Sequence, residues 1–377
     1  MMDFLHSNLI HLFLVSVFFF AGCGSGGGGQ TSTTVTSQQA STPVVTTSAA
    51  LNGAKLVTLT TSTAGASIYY TLDGSQPSTS SAYYTAPFLV ASNVTLNAIA
   101  TATGYNPSSV ITQAFAPNLP PGTLVWSDEF SNSSSSNAQP NPQVWTYDTG
   151  ASGWGNSELE NYCGWNSMVA PCNTANPNAY VGTDGNLHIV AQQPSPGVYT
   201  SARLKTQGLF SFQYGRFEIR AQVPEAQGLW PAAWLLGNNI NTVNWPACGE
   251  QDVLERVNAA TTPDWVKGSI HGTGFTGNNL GMLYDFSNGQ TEAGWHTYGM
   301  IWSKGSISYY VDDPTMPYAT FTASNLSALS GAVWPFDKGG NFIILNLAVG
   351  GSWPGSPDSS TTFPAQMLVD YVRIYTN

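Results

Sequence analysis

Charge is scarce in this chain. Only 8% of its 377 residues are Asp, Glu, Lys or Arg, and ten are basic against 21 acidic. A net charge of −11 without a basic stripe argues against nucleic acid as a partner, because nothing is available to neutralise phosphates. The same shortage disfavours sulfated or phosphorylated polymers. Cysteine is scarce too, with four residues and no zinc-type Cys/His spacing. The apolar run from Leu9 to Phe20 is broken by His11 and Ser16 and is too short for a transmembrane helix, which needs about 20 residues. From Leu124 onward no sustained helical period appears, which leaves short strands and turns.

What is present is concentrated in the second half. All twelve Trp lie at or after Trp126, and Lys55 alone among the basic residues precedes Arg203. Many aromatics with few charges suit a neutral carbohydrate, whose apolar faces stack on rings while its hydroxyls take hydrogen bonds. A large aromatic core is the competing use of the same residues, and both uses are expected for different Trp.

The length suggests two or three domains. Residues 1–23 read as an export signal, and Phe20-Ala-Gly-Cys23 resembles a bacterial lipoprotein cleavage box with Cys23 as the lipid-bearing residue. Phe in place of the usual Leu, and no Lys or Arg before the apolar run, keep plain secretion open. Residues 24–47 read as a flexible Gly/Ser/Thr linker. Residues 48–116 alternate in short runs (Lys55-Leu-Val-Thr-Leu-Thr, Ser67-Ile-Tyr-Tyr-Thr, Val94-Thr-Leu-Asn-Ala-Ile-Ala) separated by turn signals, as in a small immunoglobulin-like sandwich. Residues 117–123 contain Asn118-Leu-Pro-Pro-Gly122, a stiff hinge. Residues 124–377 predict one large all-β sandwich. Cys163 and Cys172 can close a short disulfide loop in an oxidising compartment. Cys248 is left as a small buried thiol.

Glu250-Gln-Asp252-Val-Leu-Glu255 carries three acids in six residues. On a strand, Glu250 and Asp252 share a face and Gln251 takes the other. Strict alternation would put Glu255 behind the sheet, whereas a β-bulge re-aims it beside the other two. Two carboxylates are the minimum for cutting a glycosidic bond, one as nucleophile and one as acid and then base. Glu250 and Glu255 would be roughly four strand steps apart, about 13 Å along the backbone, a gap that two leaning side chains can largely close. Asp252 between them would hydrogen-bond the nucleophile and separate the acids' pKa values. On spacing alone, a solvated acidic edge or part of a calcium site remains open.

Glu250-x-Asp-x-x-Glu255 resembles the bulged signature of glycoside hydrolase family 16. The likeness extends over roughly 124–377: Gly153-Trp-Gly-Asn-Ser-Glu-Leu, Tyr214-Gly-Arg-Phe-Glu, Gly228-Leu-Trp-Pro-Ala-Ala-Trp, His271-Gly-Thr-Gly and Leu345-Asn-Leu-Ala-Val-Gly-Gly-Ser-Trp-Pro-Gly. It resembles the laminarinase branch, endo-acting on β-1,3-glucans. The resemblance implies a β-jelly-roll and a retaining double displacement with Glu250 as nucleophile, Glu255 as acid/base and Asp252 as helper. It implies sugar stacking by Trp230 and Trp245, a cleft histidine at His271 placed on substrate or Glu255, polar cleft groups at Asn156, Arg203 and Asn346, and a more distant platform or core role for Trp353. It implies no cofactor for catalysis, and a structural calcium on the convex side, held by Asp370, the Gly185 carbonyl and Glu129. For Asp370 an ordinary strand-end carboxylate is equally open. Residues 48–116 resemble the chitobiase/hexosaminidase C-terminal accessory domain and lack a Trp platform, which favours a spacer over sugar binding.

The expected partner is a β-glucan, with no nucleic acid, membrane contact only through Cys23, and a monomeric chain, secreted or held as a surface or outer-membrane lipoprotein of a bacterium. Mixed-linkage glucan and agarose remain alternative substrates, and a non-catalytic glucan-binding protein is the alternative from another class. Where the family has an apolar residue, this chain has Gln251. It should face the sandwich core and find a backbone or water partner, since an unpaired buried amide costs about 1–3 kcal/mol.

Overall fold

The computed structural model describes residues 38–257, 264–276, 280–287 and 290–377. The export signal and Cys23 lie outside the described residues, as does most of the expected linker. Residues 44–47, assigned above to that linker, are instead strand. Val44–Ala49 pairs antiparallel with Lys55–Thr60, and Ala40 is already buried. The Ser/Thr-rich composition hid a β-branched run, whose side chains favour a pleated surface.

The small domain is a sandwich. One sheet holds Val44–Ala49, Lys55–Thr60 and Phe88–Val90; the other holds Ala82–Tyr83, Ser67–Thr71, Val94–Thr101 and Ile111–Phe115. Alternation explains its core: Val57 and Leu59 point in from one sheet, Ile68, Tyr70, Leu96 and Ala98 from the other, and Tyr70 stacks on Phe88 at 4.7 Å. The segment expected as a hinge is bonded on both sides. Asn118 pairs with Asn93 at 2.8 Å, and the Gly122 N–H donates to Thr376 O at 3.0 Å. Leu89 and Ser211 add backbone bonds between the two sandwiches.

The larger domain also has two sheets, of seven and ten strands among the described residues. The seven-stranded sheet runs Gly281–Asp285, Trp265–His271, Glu250–Glu255, Leu229–Gly237, Asn341–Val349, Arg203–Lys205, Thr146–Asp148. The acidic strand is therefore interior, hydrogen-bonded on both edges. Between the sheets lie Leu204, Leu235, Val253, Ile270, Ile343 and Leu345 from one side and Phe217, Ile219, Met300, Val369 and Val372 from the other, all 0–1% exposed. Burial on this scale supplies the main favourable term of folding.

Gln251 is fully buried in that core. Its Oε1 accepts from Asn341 Nδ2 at 2.9 Å, so its partner is a side-chain amide and not the backbone or water group expected. Its Nε2 has no partner among the described residues. Each amide is thus justified by the other. Asn341→Leu alone should cost about 1–3 kcal/mol by stranding the whole Gln251 amide. The double variant Gln251→Met/Asn341→Leu should lose less than Asn341→Leu does, as read by urea unfolding. Losses that simply add would show that the two amides are not coupled.

Candidate active site

The bulge lies inside the acidic strand. On one edge Ala233 pairs with Leu254 and Trp234 with Asp252, which leaves Val253 unpaired. On the other edge Asp252 pairs with Ser269 and Glu255 with Lys267, so Val253 and Leu254 together oppose Gly268. Both extra side chains are buried and apolar, at 1% and 0% exposure, so the core absorbs the irregularity. Glu250, Asp252 and Glu255 consequently line one cleft of about 600 Å³. A larger cavity of about 810 Å³ lies between the two sandwiches and includes none of these acids.

The neighbouring strand supplies what the acids need. Lys267, Ser269 and His271 alternate onto the same face. Ser269 Oγ donates to Asp252 Oδ2 at 2.7 Å and lies 3.2 Å from Glu255 Oε2. His271 Nε2 is 2.9 Å from Asp252 Oδ2 and 3.7 Å from Glu250 Oε1. The histidine expected on substrate or Glu255 therefore sits on Asp252. Trp245 Nε1 donates to Glu250 Oε2 at 3.0 Å, and half of that indole is exposed (51%), which leaves its face open to a ligand.

Electrostatics follow from burial. Desolvation and then the charge of Asp252 raise the carboxyl pKa of both Glu250 and Glu255 well above the ordinary carboxylate range. Burial alone would lower the pKa of His271, but Asp252, hydrogen-bonded to it, and the two glutamates raise it to about 9. Near neutral pH the row thus holds an imidazolium and at least one carboxylic acid, a division of protons suited to acid–base chemistry. Cys248 is buried, and desolvation followed by Glu250 pushes its thiol up to about 11, so it is inert beside the acids.

The remaining expected residues divide. Trp230 and Trp353 meet edge to face at 5.2 Å on the cleft wall, and Trp353 is 40% exposed. Asn156, Arg203 and Asn346 line the cleft but are tied into its wall. Asn156 Nδ2 donates to Glu158 (3.1 Å), Tyr162 OH to Glu158 (3.1 Å), Asn346 Nδ2 to Tyr162 (3.1 Å) and Trp234 Nε1 to Asn346 (2.8 Å). Arg203 pairs with Asp148 at 3.0 Å and lies over Trp234 and Trp154 at 4.6 and 5.2 Å. Cys163 and Cys172 form a disulfide beside Tyr162. Sequence reasoning missed Trp154, Glu158, Trp234, Lys267 and Ser269. The period-2 rule applied from Trp230 and His271 would have found three of them: Trp234, Lys267 and Ser269.

The calcium set does not fit as expected. Asp370 is ion-paired with Arg220 at 2.6 Å, and both oxygens of Glu129 accept from Arg373 at 2.8–2.9 Å. Two guanidiniums already neutralise these carboxylates, and a dication would have to displace them.

Residues 167–373 match the model of Glycosyl hydrolases family 16, and residues 46–112 that of the Chitobiase/beta-hexosaminidase C-terminal domain. The chain is 39% identical to a beta-glucanase of Rhodothermus marinus over 67% of its own length and 84% of that protein. It is 34% identical to glucan endo-1,3-beta-glucosidase A1 of Niallia circulans, over 67% of its own length but 37% of that protein. It superimposes on the laminarinase catalytic domain of Thermotoga maritima with a TM-score of 0.58 and 36% identity, covering 68% of this chain and 99% of that one. The larger sandwich accordingly has the jelly-roll form.

Because Asp252 raises both neighbouring glutamates, Asp252→Asn should lower the pKa of each, as followed by carboxyl-carbon NMR titration. Folded pKa values above the unfolded ones (4.5 for Glu, 6.5 for His271) mean that the folded state holds extra protons. Stability should therefore fall as pH rises from 4.5 for the glutamates. The contribution of His271 is complete below 6.5 and lost as pH rises through about 9. A variant in which neither glutamate moves would show that Asp252 does not set the proton distribution.

Proposed function

The chain belongs to glycosyl hydrolases family 16, and on that premise we propose that it cleaves internal β-1,3-glucosidic bonds of laminarin-type glucans with retention of configuration. The observation that carries this reading is the bulged row itself. Glu250 and Glu255 face one cleft, linked through Asp252, Ser269 and His271.

In the first step Glu250 carboxylate attacks the anomeric carbon while Glu255 gives its proton to the leaving glycosidic oxygen. In the second, Glu255 carboxylate takes a proton from water, whose oxygen attacks the same carbon and frees Glu250. Glu250 is suited to the nucleophile's role: it is the more exposed of the two glutamates, receives the Trp245 N–H and has His271 at 3.7 Å. Glu255, at the buried end, keeps its proton for the leaving group. Trp245, Trp230 and Trp353 offer faces and edges for neutral pyranose rings, and the scarcity of cations in the chain fits an uncharged polymer. We also read the chain as a monomer, exported and held at the surface through Cys23 or released, with the small sandwich as a spacer.

Reducing-end assays and proton NMR on laminarin, with mixed-linkage glucan and agarose in parallel, test the proposal. Wild type should release the β-anomer first, from laminarin in preference to the other two polymers. Glu255→Gln should lose about 10²–10⁴-fold in kcat, and Glu250→Gln at least as much. Full activity in Glu250→Gln, or the α-anomer as first product, would overturn it.

A further inference from the structure

A second acidic cluster lies beyond the catalytic row. Glu225 precedes the strand Leu229–Gly237, Asp264 immediately precedes Trp265–His271, and Glu292 precedes His296–Ser303. One carboxylate oxygen from each comes within 4.8 Å of the others. Clustering alone would mean little, but Glu292 is 0% exposed. Its Oε1 accepts from Arg256 Nε, while its Oε2 is buried without a hydrogen-bond partner among the described residues. Arg256 is itself buried, lies over Trp265 at 4.8 Å and donates to Val257 O at 2.6 Å.

The charges do not cancel. Among the described residues, the three groups as carboxylates against the Arg256 guanidinium leave an excess of two negative charges. A buried carboxylate oxygen left unpaired costs at least about 1–3 kcal/mol. We propose that Glu225, Asp264 and Glu292 bind a calcium ion. Its charge matches the excess, and hard carboxylate oxygens are its preferred ligands. Oxygens bound at about 2.3–2.6 Å can lie up to about 5 Å apart across the ion, which accommodates the observed convergence. Glu225 is exposed and gives the ion access, and water completes the shell. This site is separate from Asp370 and Glu129, whose charges are met by arginines.

Its position gives it a purpose. Arg256 directly follows Glu255, and Asp264 begins the strand that carries Lys267, Ser269 and His271. Trp265 in turn packs near Trp353 of the cleft, with ring centroids 6.2 Å apart. The ion would fasten the end of the acidic strand to the start of its neighbour and hold the two strands of the catalytic row in register.

Isothermal titration of the full chain, stripped with chelator, against calcium chloride and separately magnesium chloride tests this, with thermal unfolding alongside. Wild type should bind one calcium with a Kd of about 10⁻⁴–10⁻³ M or tighter and gain thermal stability on saturation. Glu225→Gln, at an exposed position that folding should tolerate, and Asp264→Asn should each weaken binding by about tenfold or more, whereas Asp370→Asn should bind as wild type does. Absence of calcium binding in the stripped wild type would overturn the proposal. So would undiminished affinity in both Glu225→Gln and Asp264→Asn, loss of binding in Asp370→Asn, or tighter binding of magnesium than of calcium.

Discussion

Three carboxylates repel one another along a single buried strand face, and much of the cleft answers that repulsion. Two unit charges about 5 Å apart at an effective dielectric of about 20 repel by about 3 kcal/mol. The fold does not remove the acids from one another. It surrounds Asp252 with the Ser269 hydroxyl and the His271 imidazole, gives Glu250 an indole N–H, and brings Lys267 opposite Glu255 in the ladder. Where the donors fall short, protons stay on the glutamates. That residual proton is what the proposed reaction uses, so the electrostatic strain of the row and its chemistry have the same source.

Rigidity comes from behind and beside the row. Tyr309, in the core, donates its hydroxyl to the Ser269 carbonyl at 2.8 Å. Gly268 lets that ring approach, because a Cβ there would stand 2.7 Å from it. Beside the row, Arg203 between two indoles and the chain from Asn156 through Tyr162 to Trp234 convert polar cleft residues into wall. Residues assigned to substrate contact by resemblance thus first serve to fix the surface on which substrate would lie.

The sequence carried the two-sandwich plan because alternation is local. Ser306–Val311 and Lys55–Thr60 could be read directly from their pattern. The acids and the bulge were legible because the i, i+2, i+5 spacing fits one cleft only with an extra residue. What was not legible depended on other strands. Nothing near His271 says that Asp252 will be its partner, since the two are joined by ladder register. Gln251 looked like an oddity until Asn341, ninety positions away, lay against it. The carboxylates expected to hold calcium were read without their arginines, which arrive from other strands. Composition also misled at Val44–Ala49, where threonine and serine concealed an edge strand.

The bulge has a further consequence. It divides one strand into two phases: up to Asp252 the cleft is written in even positions, and after it in odd ones. Pairing all six residues regularly, with no bulge, would carry Glu255 through the sheet into the apolar layer, while Glu250 and Asp252 kept their places; removing Val253 instead would leave Glu255 opposite Lys267 on the cleft face, two positions after Asp252. The acid row is therefore a property of reading frame in space as much as of residue identity. A strand copied from this protein into another scaffold would keep its chemistry only if it brought along a neighbour able to face two residues with one, as Gly268 does here.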